Sequence, residues 1–337
     1  MAGPGQINST FDTSDSRSNR ETLADWVDRI TPAETPLYSL IGDETVEGIK
    51  PEWQTDTLGT PDTDNAHVEG EIYTYDTIQA TARVANYTQI FRKSFIVSDT
   101  QEKVKKAGKT SDLSYERLKR GQEIKIDIET AFLSNQASIA GSASVPRRLG
   151  GLRAWLSTND SMGAGGASGG YNAATGVVDA AINGTKRAFS KNLLDEAISS
   201  AYTAGGNPTV GMGSPYVKRV FSTFMADSNV APLRVTASAN SQATLVGAAD
   251  AYLSDFGLLD IVPNRQMART PDLARNFFLL DTDKLSKGWL RRIHEDKNVA
   301  RTSDGQPVVI IGEVTLMVKN EAAHAVVADL NGIGIAA

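Results

Sequence analysis

The chain has 337 residues, of which 40% are hydrophobic and 22% are charged, so it can bury a sizeable core. A net charge of −6 without long basic runs excludes a protein that wraps nucleic acid with its whole surface or binds anionic membranes. Cysteine is absent, which excludes disulfides and thiolate metal sites, and no apolar stretch is long enough to cross a membrane.

The first 45 residues are predicted to form an arm and a strap. Residues 1–20 have the polar composition of a disordered arm. A capping-box spacing at Ser18 and Glu21 then predicts a short amphipathic helix. Its apolar face consists of Leu23, Trp26, Val27 and Ile30. Two prolines predict extended backbone over residues 31–42, laid across another surface.

A long β-hairpin is predicted for residues 46–98, with a broad tip over residues 59–70. Residues 42–76 hold ten acids and one lysine, a net charge of −9. Residues 83–125 hold eleven bases and five acids, a net charge of +6. Two interpretations stay open: a solvated hairpin beside a solvated helix, or the acidic hairpin of one copy lying on the basic segment of another.

One long helix is predicted for residues 111–137, which contain no proline and only one glycine, Gly121. Alternation of Ile124, Ile126 and Ile128 would also fit a strand, but the charged residues between them and the uninterrupted length favour a half-exposed helix. The apolar stripe of this helix is predicted to be Leu118, Ile124, Ile128, Phe132 and Leu133.

The second half of the chain is predicted to form a lobe that mixes helices and strands. Residues 151–183, which include the glycine-rich run 163–170, are predicted to be a loop. Helices are predicted at 190–202 and 214–225, the latter with Pro215 at its first position. Strands are predicted at 251–265, 276–281, 308–318 and 324–330.

No pattern for a catalytic, cofactor or metal site is found. The glycine-rich runs lack the spacing of nucleotide-binding loops, and the three histidines (His67, His294 and His324) are scattered along the chain. The nearest pattern to a nucleic-acid patch is a basic cluster around Trp289. It consists of Lys284, Lys287, Arg291, Arg292 and Lys297. Repeated many times inside a container, such a patch would meet packaged DNA or an acidic tail of a partner protein.

Taken in order, the predicted elements resemble the HK97-type fold of tailed-phage major capsid proteins. Short segments along residues 20–333 are similar to the SU10-type major capsid family. They are DWVDRITPAETP at 25–36, EWQTDTL at 52–58, EG at 69–70, SDFG at 254–257 and VPNR at 262–265. None of them is diagnostic alone, because they are packing and turn residues, and the resemblance rests on their order.

The resemblance implies an α+β fold of four parts. These are an N-terminal arm and strap helix (1–45), an E-loop hairpin (46–98), a P-domain with a long spine helix (99–150 and 290–337) and an α/β A-domain (151–289). The implied function is non-enzymatic: a major capsid protein, without cofactor, that self-assembles in the bacterial host cytoplasm into an icosahedral head shell of hexamers and pentamers. The shell would belong to the virion, connect to a portal and contact its double-stranded DNA non-specifically.

In this fold the E-loop reaches over the P-domain of a neighbouring subunit, so the acidic hairpin can meet the basic spine of the next copy. The expected contact residues are Glu52, Asp56, Glu69, Glu71 and Asp76 on the hairpin and Arg117, Lys119 and Arg120 on the spine. The tip at 59–70 has no lysine, so an isopeptide crosslink from it is not expected. The short arm implies a separate scaffold protein or none, and decoration proteins stay open.

Two alternatives remain at this point. An encapsulin-like cellular compartment would share the fold and would need a cargo-binding surface, which the sequence does not identify. A small α/β enzyme would need a site that none of the patterns above supplies.

Overall fold

The computed structural model describes residues 33–73, 75–224, 251–301 and 304–332. The predicted arm and the helix ending at Ile30 lie outside these residues. The described strap contains helix α1 (Pro36–Leu40) and strand β1 (Gly42–Thr45). The prediction of extended backbone throughout 31–42 is therefore wrong at α1. Pro36 occupies the start of that helix, where its fixed φ and missing N–H are compatible with helical structure.

Residues 46–98 form a short hairpin and one long strand. Strands β2 (Glu52–Thr55) and β3 (Ala82–Ala85) pair antiparallel, whereas β4 (Gln89–Val97) pairs with a strand near the end of the chain. The described residues between β2 and β3 contain no strand and are exposed. The predicted two-stranded excursion is thus confined to four residues on each side, because no part of the described chain covers the apolar residues beyond them.

The predicted long helix is confirmed. After α2 (Asp99–Lys103), helix α3 runs over Asp112–Leu133, and the Ser111 side chain caps its start by accepting from the Ser114 N–H. Ile124, Ile126 and Ile128 are all buried, because α3 lies between β4 on one side and α1 on another. Leu118 is not part of the buried stripe, since it is 64% exposed.

The prediction of a loop over residues 151–183 is wrong. This segment contains helix α4 (Leu152–Trp155) and three short strands, β5 (Asp160–Ser161), β6 (Gly170–Asn172) and β7 (Val177–Asp179). Trp155 is buried and stacks on Tyr171 with ring centroids 5.9 Å apart. Glycine is required by close backbone approach in places: a Cβ on Gly163 would lie 2.0 Å from the Thr185 carbonyl oxygen.

The remaining predicted elements are confirmed, and two further strands and one short helix are added. The helices are α5 (Lys191–Thr203), α6 (Pro215–Phe224) and α7 (Pro271–Ala274). The strands are β8 (Val210–Gly213), β9 (Ala251–Ser254), β10 (Gly257–Pro263), β11 (Phe277–Leu280), β12 (Leu285–Asp296), β13 (Gln306–Val318) and β14 (Ala325–Val327). Helix α7 and strands β8 and β12 were not predicted, and β12 carries three residues of the predicted basic cluster, Lys287, Arg291 and Arg292.

Two larger sheets organise the described chain. One has four strands in the order β1-β12-β13-β4, and the other has six in the order β5-β14-β11-β8-β10-β9. One core cluster joins α3, α4 and the four-stranded sheet to one face of the six-stranded sheet, whereas a second lies between its other face and helices α5 and α6. Two short connections join the sheets, at residues 281–284 and 319–324. These connections run side by side, with the Lys319 N–H donating to the Lys284 carbonyl at 2.9 Å.

The predicted domain boundaries cut across this arrangement in two places. Strand β4 belongs by sequence to the predicted E-loop but pairs along its length with β13, and β12 runs through the boundary predicted between 289 and 290. The four-part division of the chain therefore stays a prediction.

Candidate inter-subunit contact surfaces

The segment between β2 and β3, residues 56–81, is the most exposed apolar stretch of the described chain. Leu58 and Ile78 are each 99% exposed. The other large apolar side chains exposed on it are Val68, Ile72, Tyr73 and Tyr75. Monomeric soluble proteins seldom present so many exposed apolar side chains together, and such a surface marks a contact with another molecule. We call residues 56–81 the exposed loop.

The acidic residues predicted for the contact lie on this loop or at its base. Glu52 is on β2, where it pairs with Lys50 at 3.6 Å and Arg83 at 3.3 Å. Glu71 lies 3.2 Å from the His67 ring, and Asp56 accepts from the Thr57 N–H at 2.9 Å. Asp76 and Glu69 are exposed. The structure thus spreads these carboxylates over a loop rather than gathering them at one point.

The basic residues predicted for the contact lie near one another on the first half of α3, and each has a partner in its own chain. Arg117 Nη2 is 2.9 Å from a carboxylate oxygen of Glu295 on β12, Lys119 Nζ is 3.6 Å from Glu116, and Arg120 Nη1 is 2.6 Å from Glu123. All three pairs are partly exposed, so each contributes only about 0 to 1 kcal/mol and can exchange partners.

An open groove of about 550 Å³ lies beside these residues, between α3 and β12. Its lining includes Tyr38, Leu118, Gly121, Lys125, Trp289 and Ile293. A Cβ added to Gly121 would meet nothing within 4 Å, so the groove is open at this point of the helix. The exposed side chain of Leu118 gives the groove an apolar rim. We call this surface the α3–β12 groove.

The aromatic and charged groups at and beneath the floor of the groove contact one another. The rings of Tyr38 and Trp289 pack edge to face at 6.3 Å, and the Lys287 Nζ lies 4.3 Å from the Tyr38 ring centre. Asp43 accepts from the Trp289 indole N–H at 2.9 Å and pairs with Lys287 at 3.2 Å. Burial alone would raise the pKa of Asp43, but these two partners lower it below its usual value.

The predicted basic patch is only partly assembled as a surface. Lys284 and Lys297 are exposed. Arg291 binds the buried carboxylate of Glu313 at 2.9 Å, and Arg292 lies 3.6 Å from Asp43. Lys287 is 5% exposed and donates to the Tyr38 carbonyl. Lys287 therefore stabilises the interior of the subunit and is not part of the exposed basic surface.

Sequence reasoning missed the groove because its residues come from three distant segments. Tyr38 is on the strap, Leu118 is on α3 and Trp289 is on β12. The one available signal was Gly121, a solitary glycine in an otherwise uninterrupted helical pattern.

Other kinds of site find little support in the described residues. No group of three or more His, Asp or Glu side chains there is placed to hold a metal ion. In the same residues, no helix combines the length and apolarity needed to span a membrane. His67 and His294 are exposed, and His324 is fully buried, so the three histidines do not share a site.

A family model described as SU10 major capsid protein matches residues 6–331. The major capsid protein of Escherichia phage Phieco32 is 36% identical over 137 residues. That alignment covers 41% of this chain and 38% of the relative, so the chain is matched to well under half of that protein's length.

Solved capsid structures share the fold over nearly the whole chain. A chain from the capsid of a native GTA particle has a TM-score of 0.60 at 13% identity and covers 94% of this chain and 97% of its own length. A chain from the cyanophage A-1(L) capsid has a TM-score of 0.60 at 12% identity, covering 95% and 98%. One from Gordonia phage Cozz has a TM-score of 0.57 at 12% identity, covering 94% and 93%. At these identities the likeness shows the fold alone.

The neighbours are capsid proteins with the HK97-type fold, so the prediction of an α+β fold of this type is confirmed. The order of elements on which the resemblance rested agrees with a family match over nearly the whole sequence. This chain therefore belongs to the SU10 major capsid protein family.

Proposed function

We propose that the chain is a structural subunit without catalytic activity, which assembles into the icosahedral head shell of a tailed phage. Hexamers and pentamers form in the host cytoplasm, and the exposed loop of each subunit lies in the α3–β12 groove of its neighbour. The observation that carries this proposal is the pair of surfaces itself. One is a loop with exposed apolar side chains, and the other is a groove with an apolar rim that stands open among the residues the structure describes.

The free energy gained by burying apolar side chains is expected to exceed that from charge pairs at this contact. Fully burying one Ile or Tyr side chain contributes about 1.5 to 3 kcal/mol. The exposed loop offers several such side chains, including Ile72, Tyr73 and Ile78. By contrast, Arg117, Lys119 and Arg120 already have partners in their own chain, so a new acid must displace an old one. Charge complementarity then mainly guides orientation and encounter rate.

The DNA contact is proposed for the exposed members of the basic patch. Lys284 and Lys297 are exposed, and Arg291 and Arg292 keep more than two fifths of their side-chain surface accessible despite their acidic partners. Repetition over a closed shell makes such a modest patch sufficient for non-specific phosphate contact. A portal, a separate scaffold and decoration proteins complete the proposed set of partners.

The loop contact is tested with the double variant Tyr73→Ser and Ile78→Ser. Both side chains are exposed, so the subunit should keep its stability to within about 0.5 kcal/mol. We expect shells or capsomers to be lost from electron micrographs and from the large species in size-exclusion chromatography. The control is Tyr73→Phe with Ile78→Val, which preserves the apolar character and should assemble. Normal particles from the serine variant would exclude this loop as the main contact.

A further inference from the structure

The helix α1 in the strap is capped by a side chain from a different part of the chain. Thr35 stands at its N-cap position but makes no side-chain capping bond. Instead, the Leu37 N–H donates to Oε1 of Glu129 at 2.9 Å, and the Tyr38 N–H donates to Oε2 at 2.6 Å. Glu129 lies on α3 and is fully buried. The first turn of α1 therefore depends on a carboxylate outside the strap.

The same carboxylate is held from the six-stranded sheet. Asn264, which directly follows β10, donates from Nδ2 to Oε1 of Glu129 at 2.6 Å. Its own backbone N–H donates to the Gly213 carbonyl at the end of β8, and its Oδ1 accepts from the Gln266 N–H. Asn264 is thus fixed to the end of β8 and to the turn that follows β10. Gln266 in turn donates to the Glu34 carbonyl of the strap at 2.9 Å.

The four-stranded sheet supplies a third hold on the strap. Lys287 of β12 donates from Nζ to the Tyr38 carbonyl at 2.5 Å. Leu37 and Ile41 anchor the strap in the core, at 0% and 3% exposed. Three parts of the fold therefore meet at the first turn of α1. They are α3 through Glu129, the six-stranded sheet through Asn264, and the four-stranded sheet through Lys287.

We infer that Glu129 makes docking of the strap conditional on the position of α3 against the six-stranded sheet. The carboxylate accepts all three of these hydrogen bonds. Its negative charge is therefore fully compensated only while Asn264, Leu37 and Tyr38 all lie within hydrogen-bond distance. If the sheet rotates and carries Asn264 away, Glu129 is left as a buried anion that lacks one of its hydrogen-bond donors. The free-energy cost of this is far larger than that of losing a hydrogen bond at the protein surface. The strap then undocks and the carboxylate becomes hydrated.

The ionised Glu129 carboxyl group is subject to two opposing effects, burial and hydrogen bonding. Burial raises the pKa of Glu129, and the hydrogen bonds from Tyr38, Leu37 and Asn264 act against that rise. The group is therefore costly to bury and is maintained by its donors. This relationship concerns a single subunit and does not depend on which surfaces join neighbouring copies.

The test follows amide hydrogen exchange at Leu37 and Tyr38 in the purified full-length protein. In Asn264→Ala the altered residue does not contact either amide, yet we expect both to exchange about tenfold faster or more, because the carboxylate that holds them is released. Glu129→Gln should have at least as large an effect. The matched control is Asn276→Ala, which removes a buried asparagine bonded to the Asp272 carbonyl away from the strap.

The result that supports the inference is faster exchange in Asn264→Ala but not in Asn276→Ala. Wild-type exchange at both amides in Asn264→Ala, or an equal acceleration in both variants, would overturn it. If Asn264→Ala fails to fold, Asn264→Ser is read in the same way, since it removes less volume and still cannot supply the amide donor.

Discussion

The backbone N–H of Asp281 donates to Nδ1 of His324 at 3.1 Å, and this bond joins the two connections that run between the sheets. Asp281 begins the connection that leaves β11, and His324 ends the connection that leads into β14. The imidazole is fully buried and accepts at Nδ1, so it is neutral with its proton on Nε2. The bond therefore fixes both connections only while His324 is uncharged.

Acidification should destabilise the subunit through His324. Burial lowers the pKa of His324 from 6.5 to about 4, so the unfolded chain binds a proton between these values that the folded chain does not. Stability present at neutral pH is then lost as pH falls, by about 2 kcal/mol between pH 7 and pH 5 from this residue. Urea unfolding at the two pH values measures it. His324→Gln should reduce the difference by that amount, and an unchanged difference would contradict the assignment.

Substitutions at Gly121 should separate folding from assembly. Gly121→Ala and Gly121→Leu both replace a poor helix former where an added Cβ meets nothing within 4 Å, so each should stabilise the subunit by up to about 1 kcal/mol. The leucine also fills part of the α3–β12 groove. We expect both variants to unfold at higher temperature than the wild type, but only Gly121→Leu to lose particles in electron micrographs. Equal assembly of the two variants would show that the groove stays empty in the shell.

Reversal of charge on α3 should impair assembly in a salt-dependent way. Changing Arg117, Lys119 and Arg120 to glutamate opposes the acidic loop of a neighbour and also faces the former partners Glu116, Glu123 and Glu295. We expect fewer particles at low salt, partial recovery at high salt and a subunit that still folds. Replacing the same residues with glutamine is the control, which should show a smaller defect. Normal particles at low salt from the reversed variant would remove electrostatics from the contact.

Removal of the Asp329 carboxylate should destabilise the subunit strongly. Asp329 is fully buried with φ of 60°, and its Oδ2 accepts from the N–H groups of Gly163 and Gly184, both at 3.0 Å. Its Oδ1 lies 3.1 Å from the Arg275 guanidinium. Asp329→Ala leaves that cation unpaired and should cost about 3 to 5 kcal/mol. Asp329→Asn should cost less, because asparagine tolerates this backbone and keeps an acceptor. Denaturant unfolding of the two variants gives the comparison, and equal losses would contradict it.

Elements whose pattern is local were predictable from the sequence. Helix α3 was predicted because its turns are uninterrupted and its cap is adjacent, and α6 because Pro215 marks its start. Strand β12 was missed because its burial changes from continuous at Leu285–Trp289 to mostly exposed afterwards. The register shifts after Trp289 break any period of two. The order of short segments was nevertheless enough to indicate the family.

Features that depend on distant residues could not be predicted in the same way. Residues 151–183 looked like a loop because small residues dominate, yet Asp329 binds the backbone of that segment from the far end of the chain. The stripe on α3 was misassigned at Leu118 because the sequence does not show where the core stops covering the helix. The groove could not be predicted because it forms only where the strap lies beside β12, and the pairing of β1 with β12 is set by the tertiary fold.

Strand β14, at residues 325–327, lies between β5 and β11, so the six-stranded sheet is closed by a segment that follows its other five strands in the sequence. Until β14 has been synthesised, β5 and β11 have no strand between them, and Phe277 and Phe278 lack one of their pairing partners. A nascent or truncated chain that ends before β14 therefore cannot present a finished subunit to its neighbours.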